Sequence, residues 1–298
     1  MQKIIVITGP TGVGKTKLSI ELAKKYSGEI INADSMQIYR ELNIGTAKIR
    51  EDEKENIPHH LFDIKNVDEE YTIYHYQKDL RNKIDELNKN GKRIIIVGGT
   101  ALYLKAGLFD YTLEESTSNR DLSIYTDYEL VNKLKELDKD IDIDFNNRRR
   151  VERAYNYYLD NNRSIMENTK GDKLLYPTIF IGLTTDRDNL YKIINKRVDQ
   201  MINDGLVEEV KGLYDRGIHT KPLINGIGYK ELYNYFDKDI SLEDAIEKIK
   251  QNSRKYAKRQ YTFFNNKFNI TWFNVNYSNF NETINEVEDY INRVDRED

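Results

Sequence analysis

The sequence predicts an α/β fold, a parallel sheet flanked by helices, and three features carry that expectation. Near-continuously apolar runs recur at KIIVIT (3–8), EIINAD (29–34), RIIIVGG (93–99) and TIFIGLT (178–184), as strands buried on both faces require. Between the second and third, Ile73, Tyr76, Leu80, Ile84 and Leu87 recur every three or four residues, and Asn90-Gly91 stops the helix they define. Directly after the first strand lies GPTGVGKT, residues 9 to 16, with a helical pattern behind it. Strand, glycine-rich loop, helix, strand is the doubly wound order.

The loop fits G-x-x-x-x-G-K-[ST], which makes the expected fold P-loop NTPase-like. Its residues Gly9, Pro10, Thr11, Gly12, Val13, Gly14, Lys15 and Thr16 are the candidate phosphate cradle. The glycines turn backbone N–H groups toward phosphate oxygens, Lys15 reaches the outer phosphates, and Thr16 is the candidate ligand for Mg²⁺. Ligands in such sheets sit beyond the strand C-termini, so Gly9–Thr16, Asp34 and Gly98–Thr100 are expected at one crevice.

An ATPase would also carry an acid at the end of a second core strand to organise its metal. RIIIVGGT ends instead in Gly98, Gly99 and Thr100; the strand-terminal acid is Asp34, in INADSMQIYR. That disfavours a motor or switch. It leaves a small-molecule kinase, or another transfer from a diphosphate. From spacing alone Asp34 is equally a general base, a metal ligand or a helix cap.

Residues 113–172 break the strand–helix rhythm, being polar and helical in pattern, and EESTSNRD (114–121) reads as a linker. The expected division is a core of 1–112 with 173–298, and a mostly helical insertion domain at 113–172. Beyond it come helical segments around 187–216 and 241–264, a short strand at FNITWF (268–273), and an amphipathic helix carrying Ile284, Val287, Ile291 and Val294.

Lys+Arg 46 against Asp+Glu 50 leaves a net charge of −4, so any nucleic-acid contact must come from local patches. Two exist: Arg149 and Arg153, one helical turn apart in NNRRRVERAYNYY, and Arg254, Lys255, Lys258 and Arg259 in SRKYAKRQYTFF. Cysteine is absent, which excludes thiolate chemistry and cysteine-ligated zinc, and four histidines lack a ligand pattern. No apolar run approaches the roughly 20 residues that cross a bilayer. The expectation is a cytoplasmic monomer without membrane contact.

GPTGVGKT, NADSMQIYRELNIGTAK (32–48), PHHLFDI (58–64), VGGTALYLKA (97–106), NKRVDQMINDGLVEEV (195–210), INGIGYKEL (224–232) and YAKRQYTFF (256–264) together resemble the tRNA dimethylallyltransferase family, bacterial type. Seven motifs in order cover nearly the whole chain. The resemblance implies that the loop binds dimethylallyl diphosphate, with Mg²⁺, and that the acceptor is the exocyclic amine of the adenosine directly 3′ of a tRNA anticodon. It implies catalytic roles for Asp34 as base, Thr100 beside the bridging oxygen and Arg197 at the diphosphate. It also implies tRNA contacts from the anticodon stem-loop to Asp34, Ser35, Met36, Gln37, Thr100, Arg149, Arg153, Lys258, Arg259 and Gln260, the insertion domain included. Adenylate isopentenyltransferases share the early motifs, so transfer to a free nucleotide stays open beside the kinase reading. A non-catalytic RNA-binding protein would leave the phosphate loop without purpose.

Overall fold

A computed structural model describes residues 1–113, 120–167 and 170–297. Most of the linker read at 114–121 therefore lies outside the described residues. The chain begins with β1 (Ile4–Thr8), α1 (Lys15–Tyr26), β2 (Gly28–Asn32), β3 (His59–His60), α2 (Ile73–Lys89), β4 (Arg93–Val97) and α3 (Ala101–Leu108). It continues with β5 (Phe109–Tyr111), α4 (Asp127–Leu137), α5 (Arg148–Asn161), β6 (Lys170–Leu174), β7 (Thr178–Thr184) and α6 (Arg187–Asn203). Last come α7 (Leu206–Asp215), α8 (Lys221–Asn225), α9 (Tyr229–Phe236), α10 (Leu242–Lys267), β8 (Thr271–Asn274) and α11 (Phe280–Arg296).

Six strands form one all-parallel sheet in the order β3-β2-β4-β1-β7-β8, which is the expected α/β class. Its apolar strands explain the pairing: all five residues of β1 are buried, and Ile5, Ile7, Ile30, Ile95 and Ile181 share one core with Leu18 and Leu22 of α1 and Val287 and Ile291 of α11. Ile7 and Asn32 both pair with Val97, so β1, β2 and β4 end level. The crossing there is tight. A Cβ on Gly98 would lie 2.2 Å from the Ala33 carbonyl, so glycine is required at the position where an ATPase would carry its acid.

The chain divides into two compact units, Met1–Gly107 with Tyr176–Asp298, and Leu108–Leu175. In the second, Leu130 and Leu134 of α4 pack with Val151 and Ala154 of α5. Thr126 and Glu129 form a capping box at the start of α4, and Arg148 ties the pair by bonding Asp127, Glu152 and the carbonyls of Leu122 and Tyr125. The unit also holds the antiparallel ribbon β5–β6, a strand pair not expected from its polar sequence. Among the described residues no helix is long and apolar enough to cross a membrane.

Three elements differ from the sequence expectation in ways with a local cause. The helical stretch at 187–216 is two helices, because Gly205, at φ 102°, breaks the run and caps α7. The strand near 268–273 starts at Thr271, because α10 runs on to Lys267 and Phe268 is buried against Phe180 and Phe264. His59 and His60, where the sequence shows no strand pattern, form the sheet-edge strand β3, with His60 Nε2 2.7 Å from Glu29 Oε2.

Candidate active site

A cavity of about 730 Å³ opens beyond the C-terminal ends of β1, β2 and β4. The loop from β1 into α1 forms one wall through Thr11, Gly12, Gly14, Lys15 and Thr16. Gly14 sits at φ 90° as the N-terminal flank of α1, and a Cβ there would meet the Phe280 ring at 2.5 Å. No side chain caps α1, which leaves its first amides and the positive end of its dipole to an anion. Gly9 and Pro10 do not line the cavity; their carbonyls accept the Lys15 ammonium at 2.9 and 2.7 Å. Val13 is fully buried in the core and anchors the loop from below.

Asp34 follows β2 and faces the loop. Asp34 Oδ1 accepts the Met36 N–H at 2.9 Å, and the Gln37 backbone N–H donates to the same carboxylate. The backbone of Asp34 is gripped by Asn32, whose Oδ1 accepts Asp34 N–H at 2.8 Å while its Nδ2 donates to Asp34 O at 2.9 Å and Leu61 O at 3.0 Å. Asn32 is in turn held by Tyr76, whose hydroxyl donates to Asn32 O at 2.9 Å and whose ring stacks on Tyr103 at 3.9 Å.

Arg197, from α6, enters the same cavity. Burial pushes the Lys15 ammonium down to about 7, and the neighbouring Arg197 charge adds to that; Asp34 pulls weakly the other way. Burial likewise raises the Asp34 carboxyl, against its two amides and the two cations. The Arg197 guanidinium is lowered by burial, and its Nε is buried with no hydrogen-bond partner. Two basic side chains and one carboxylate are desolvated together here, and an orphaned donor such as the Arg197 Nε costs roughly 1–3 kcal/mol. A polyanion bound between Lys15 and Arg197 would relieve both.

A divalent ion fits this donor set. Among the described residues no cluster of three or more His, Cys, Asp or Glu is placed to hold a metal. The cavity offers hard oxygens, the Thr16 hydroxyl and the Asp34 carboxylate. Such a set suits an ion that keeps waters and takes the rest of its ligands from a phosphorylated substrate.

The other sequence candidates fall into four groups. Ser35, Met36, Gln37, Arg259 and Gln260 line the cavity. Thr100 does not line it; its Oγ1 accepts the Ser35 N–H at 3.1 Å, and its carbonyl accepts the N–H groups of Tyr103 and Leu104 at the start of α3. Lys258 is exposed beside Arg259 along a shallow groove of about 320 Å³ on α10. Arg149 and Arg153 are exposed on α5 in the second unit. Gln260 is buried, off the exposed stripe, and donates to Gly99 O at 2.9 Å. Arg254 likewise leaves the stripe to bond Asn195 of α6 at 2.5 Å.

Sequence reasoning passed over several residues. Asn32, a positioning group behind Asp34, carried no signal beyond ending a strand. Tyr256 lies on the cavity wall with its hydroxyl 3.4 Å from Gly99 O, and burial pushes that phenol up to about 12. Asn225, Tyr229 and Lys230 bring the INGIGYKEL segment to the cavity, with Lys221 just before it; the segment was visible only as a motif.

The sequence matches the family described as IPP transferase over residues 37–267. It is 47% identical over 299 residues to a tRNA dimethylallyltransferase of Anoxybacillus flavithermus, covering 97% of this chain and 96% of that protein. The fold superposes with a TM-score of 0.79 on the full-length tRNA isopentenylpyrophosphate transferase of Bacillus halodurans, at 41% identity and with 100% and 98% of the two chains covered. A eukaryotic dimethylallyltransferase acting on tRNA gives the same TM-score of 0.79 at 31% identity, with 91% of this chain and 74% of that chain covered.

Proposed function

The chain belongs to the IPP transferase family, and from that premise we propose that it transfers a dimethylallyl group from dimethylallyl diphosphate to the exocyclic amine of an adenosine in tRNA. The finer reading is that this adenosine lies directly 3′ of the anticodon. One observation carries the chemistry: Lys15, Arg197 and Asp34 line a single cavity beside the phosphate loop, and the Arg197 Nε is buried without a hydrogen-bond partner.

The loop amides, Lys15 and Arg197 bind the diphosphate. As the allylic C–O bond breaks, its electron pair goes to the departing diphosphate, whose growing charge these groups offset. A divalent ion bound through Thr16, Mg²⁺ in our reading, supplies further charge neutralisation at the leaving group. The adenine amine attacks with a lone pair delocalised into its ring, so it needs help losing a proton. Asp34 accepts that proton as the N–C bond forms, and its burial-raised carboxyl suits a general base. Asn32 holds Asp34 at the position from which it reaches the amine. Thr100 then acts through Ser35, steadying the segment that carries the base.

A base must leave its stack to reach such a cavity, at a cost of a few kcal/mol. The Asp34–Gln37 segment is our candidate for its contacts, and Lys258, Arg259, Arg149 and Arg153 for the RNA backbone. Gln260 supports the floor at Gly99. Transfer to free adenylate and transfer of a phosphoryl group to a small molecule are the competing readings. Incubation with radiolabelled dimethylallyl diphosphate and either unmodified tRNA or AMP separates them, and nuclease mapping locates the label. Label in the tRNA, on the nucleotide following the anticodon, is expected; label in AMP alone overturns the assignment.

A further inference from the structure

Glu209 of α7 holds a stretch of chain more than 160 residues away. Its Oε2 accepts the N–H groups of Asn43 (3.0 Å) and Ile44 (2.7 Å), and its Oε1 accepts that of Gly45 (3.1 Å). The Tyr229 hydroxyl donates to the same Oε1 at 2.7 Å. The Tyr229 ring also covers Gly45 so closely that a Cβ there would meet it at 2.7 Å. Three successive amides around one anion form a nest, and here the protein's own carboxylate fills it.

The loop so held is fixed at its other end by Lys48, whose buried ammonium donates to Tyr39 O (2.7 Å), Asn43 Oδ1 (3.1 Å) and Asp63 Oδ1 (2.5 Å). Between these anchors Gly45, Thr46 and Ala47 reach the cavity wall. There the Thr46 carbonyl accepts Gln37 Nε2 at 3.0 Å. That bond takes one of the two Gln37 amide hydrogens and fixes the side-chain orientation, leaving its carbonyl oxygen and the second hydrogen for a base.

We infer that Glu209 is a positioning residue for the acceptor, because with Tyr229 it fixes the 43–47 loop whose Thr46 carbonyl orients Gln37. The inference rests on the reading that the Asp34–Gln37 segment takes the adenine. Glu209 touches no substrate and acts on neither the diphosphate nor the proton, so its effect falls on acceptor recognition and not on donor affinity.

The test is steady-state prenyl transfer to tRNA by the full chain, together with direct binding of dimethylallyl diphosphate. Glu209→Ala should raise the tRNA KM about tenfold with the donor Kd changed less than about twofold. Tyr229→Phe keeps the ring over Gly45, loses one hydrogen bond, and should raise KM about threefold; it keeps the test open should Glu209→Ala fold poorly. A residue acting through Gln37 loses its effect once Gln37 is gone, so Glu209→Ala should add less than about twofold in a Gln37→Ala background. An unchanged KM in Glu209→Ala, or full multiplication of the two effects, overturns the inference alone. An unchanged KM in Gln37→Ala overturns the inference together with the acceptor reading of that segment.

Discussion

Asn32 and Asp34 close a ring on each other: Asp34 N–H donates to Asn32 Oδ1 at 2.8 Å, and Asn32 Nδ2 returns a hydrogen bond to Asp34 O at 2.9 Å. The backbone that carries the proposed base is therefore set by the last residue of a fully buried strand end, not by the cavity it faces. Asn32→Ala removes this ring and the bond to Leu61 and leaves part-buried backbone groups of Asp34 and Leu61 without that partner. A loss of about 3 kcal/mol in stability is expected, measured by urea unfolding. A loss under about 0.5 kcal/mol would mean the ring is not needed to hold the turn.

Asp34→Ala should lower the rate of prenyl transfer by about 10²–10⁴-fold while tRNA binding stays within a few-fold. Filter binding and single-turnover transfer measure the two separately. Equal losses in both would make Asp34 a recognition residue.

Lys15→Ala should weaken the diphosphate donor and leave tRNA affinity almost unchanged. The Lys15 ammonium, brought down to about 7 by burial, also gives donor binding a pH signature. Above that pH the free site has lost its proton and the diphosphate restores it, so donor affinity falls as pH rises and binding takes up a proton. Calorimetry at pH 8 in buffers of different ionisation enthalpy measures the uptake, which should vanish in Lys15→Met. The ligand-free protein carries the converse sign. Between about 7 and the ordinary lysine value of 10.5 the unfolded chain binds the extra proton, so this group makes stability rise with pH across that window. Lys15→Met should flatten the rise in urea midpoint.

Charge reversal at Lys258 and Arg259 together should raise the apparent tRNA dissociation constant and reduce the slope of log K against log salt by about one unit per lost phosphate contact. An unchanged slope moves the RNA backbone off α10. Reversal at Arg149 and Arg153 asks the same question of the second unit.

Local information carried much of the architecture. Tyr76, Leu80, Ile84 and Leu87 are buried at the spacing that marks α2, and its Thr72 cap precedes it. The phosphate loop was legible because its chemistry forces glycine where φ is positive, at Gly9, Gly12 and Gly14. What stayed hidden depends on contacts between distant residues. Gln260 reads as a candidate RNA contact beside the basic stripe, yet helix geometry turns it inward to Gly99. Glu209 reads as one of two adjacent surface acids until the fold brings Asn43 to it. The two-residue strand β3 is too short and too polar to show a period. Arg197 could be matched to a motif, but its unpaired buried Nε, the feature that calls for an anion, exists only in the folded cavity.

The central claim is that the glycine-rich cradle grips the diphosphate of a prenyl donor and not the triphosphate of ATP. Its most direct measurement runs two labels side by side with unmodified tRNA and a divalent cation: dimethylallyl diphosphate labelled in the allyl group, and ATP labelled in the γ-phosphoryl. The account predicts allyl label in the tRNA with stoichiometric release of diphosphate, and no movement of the γ label. Release or transfer of the γ label, with the allyl label left on its donor, would contradict it.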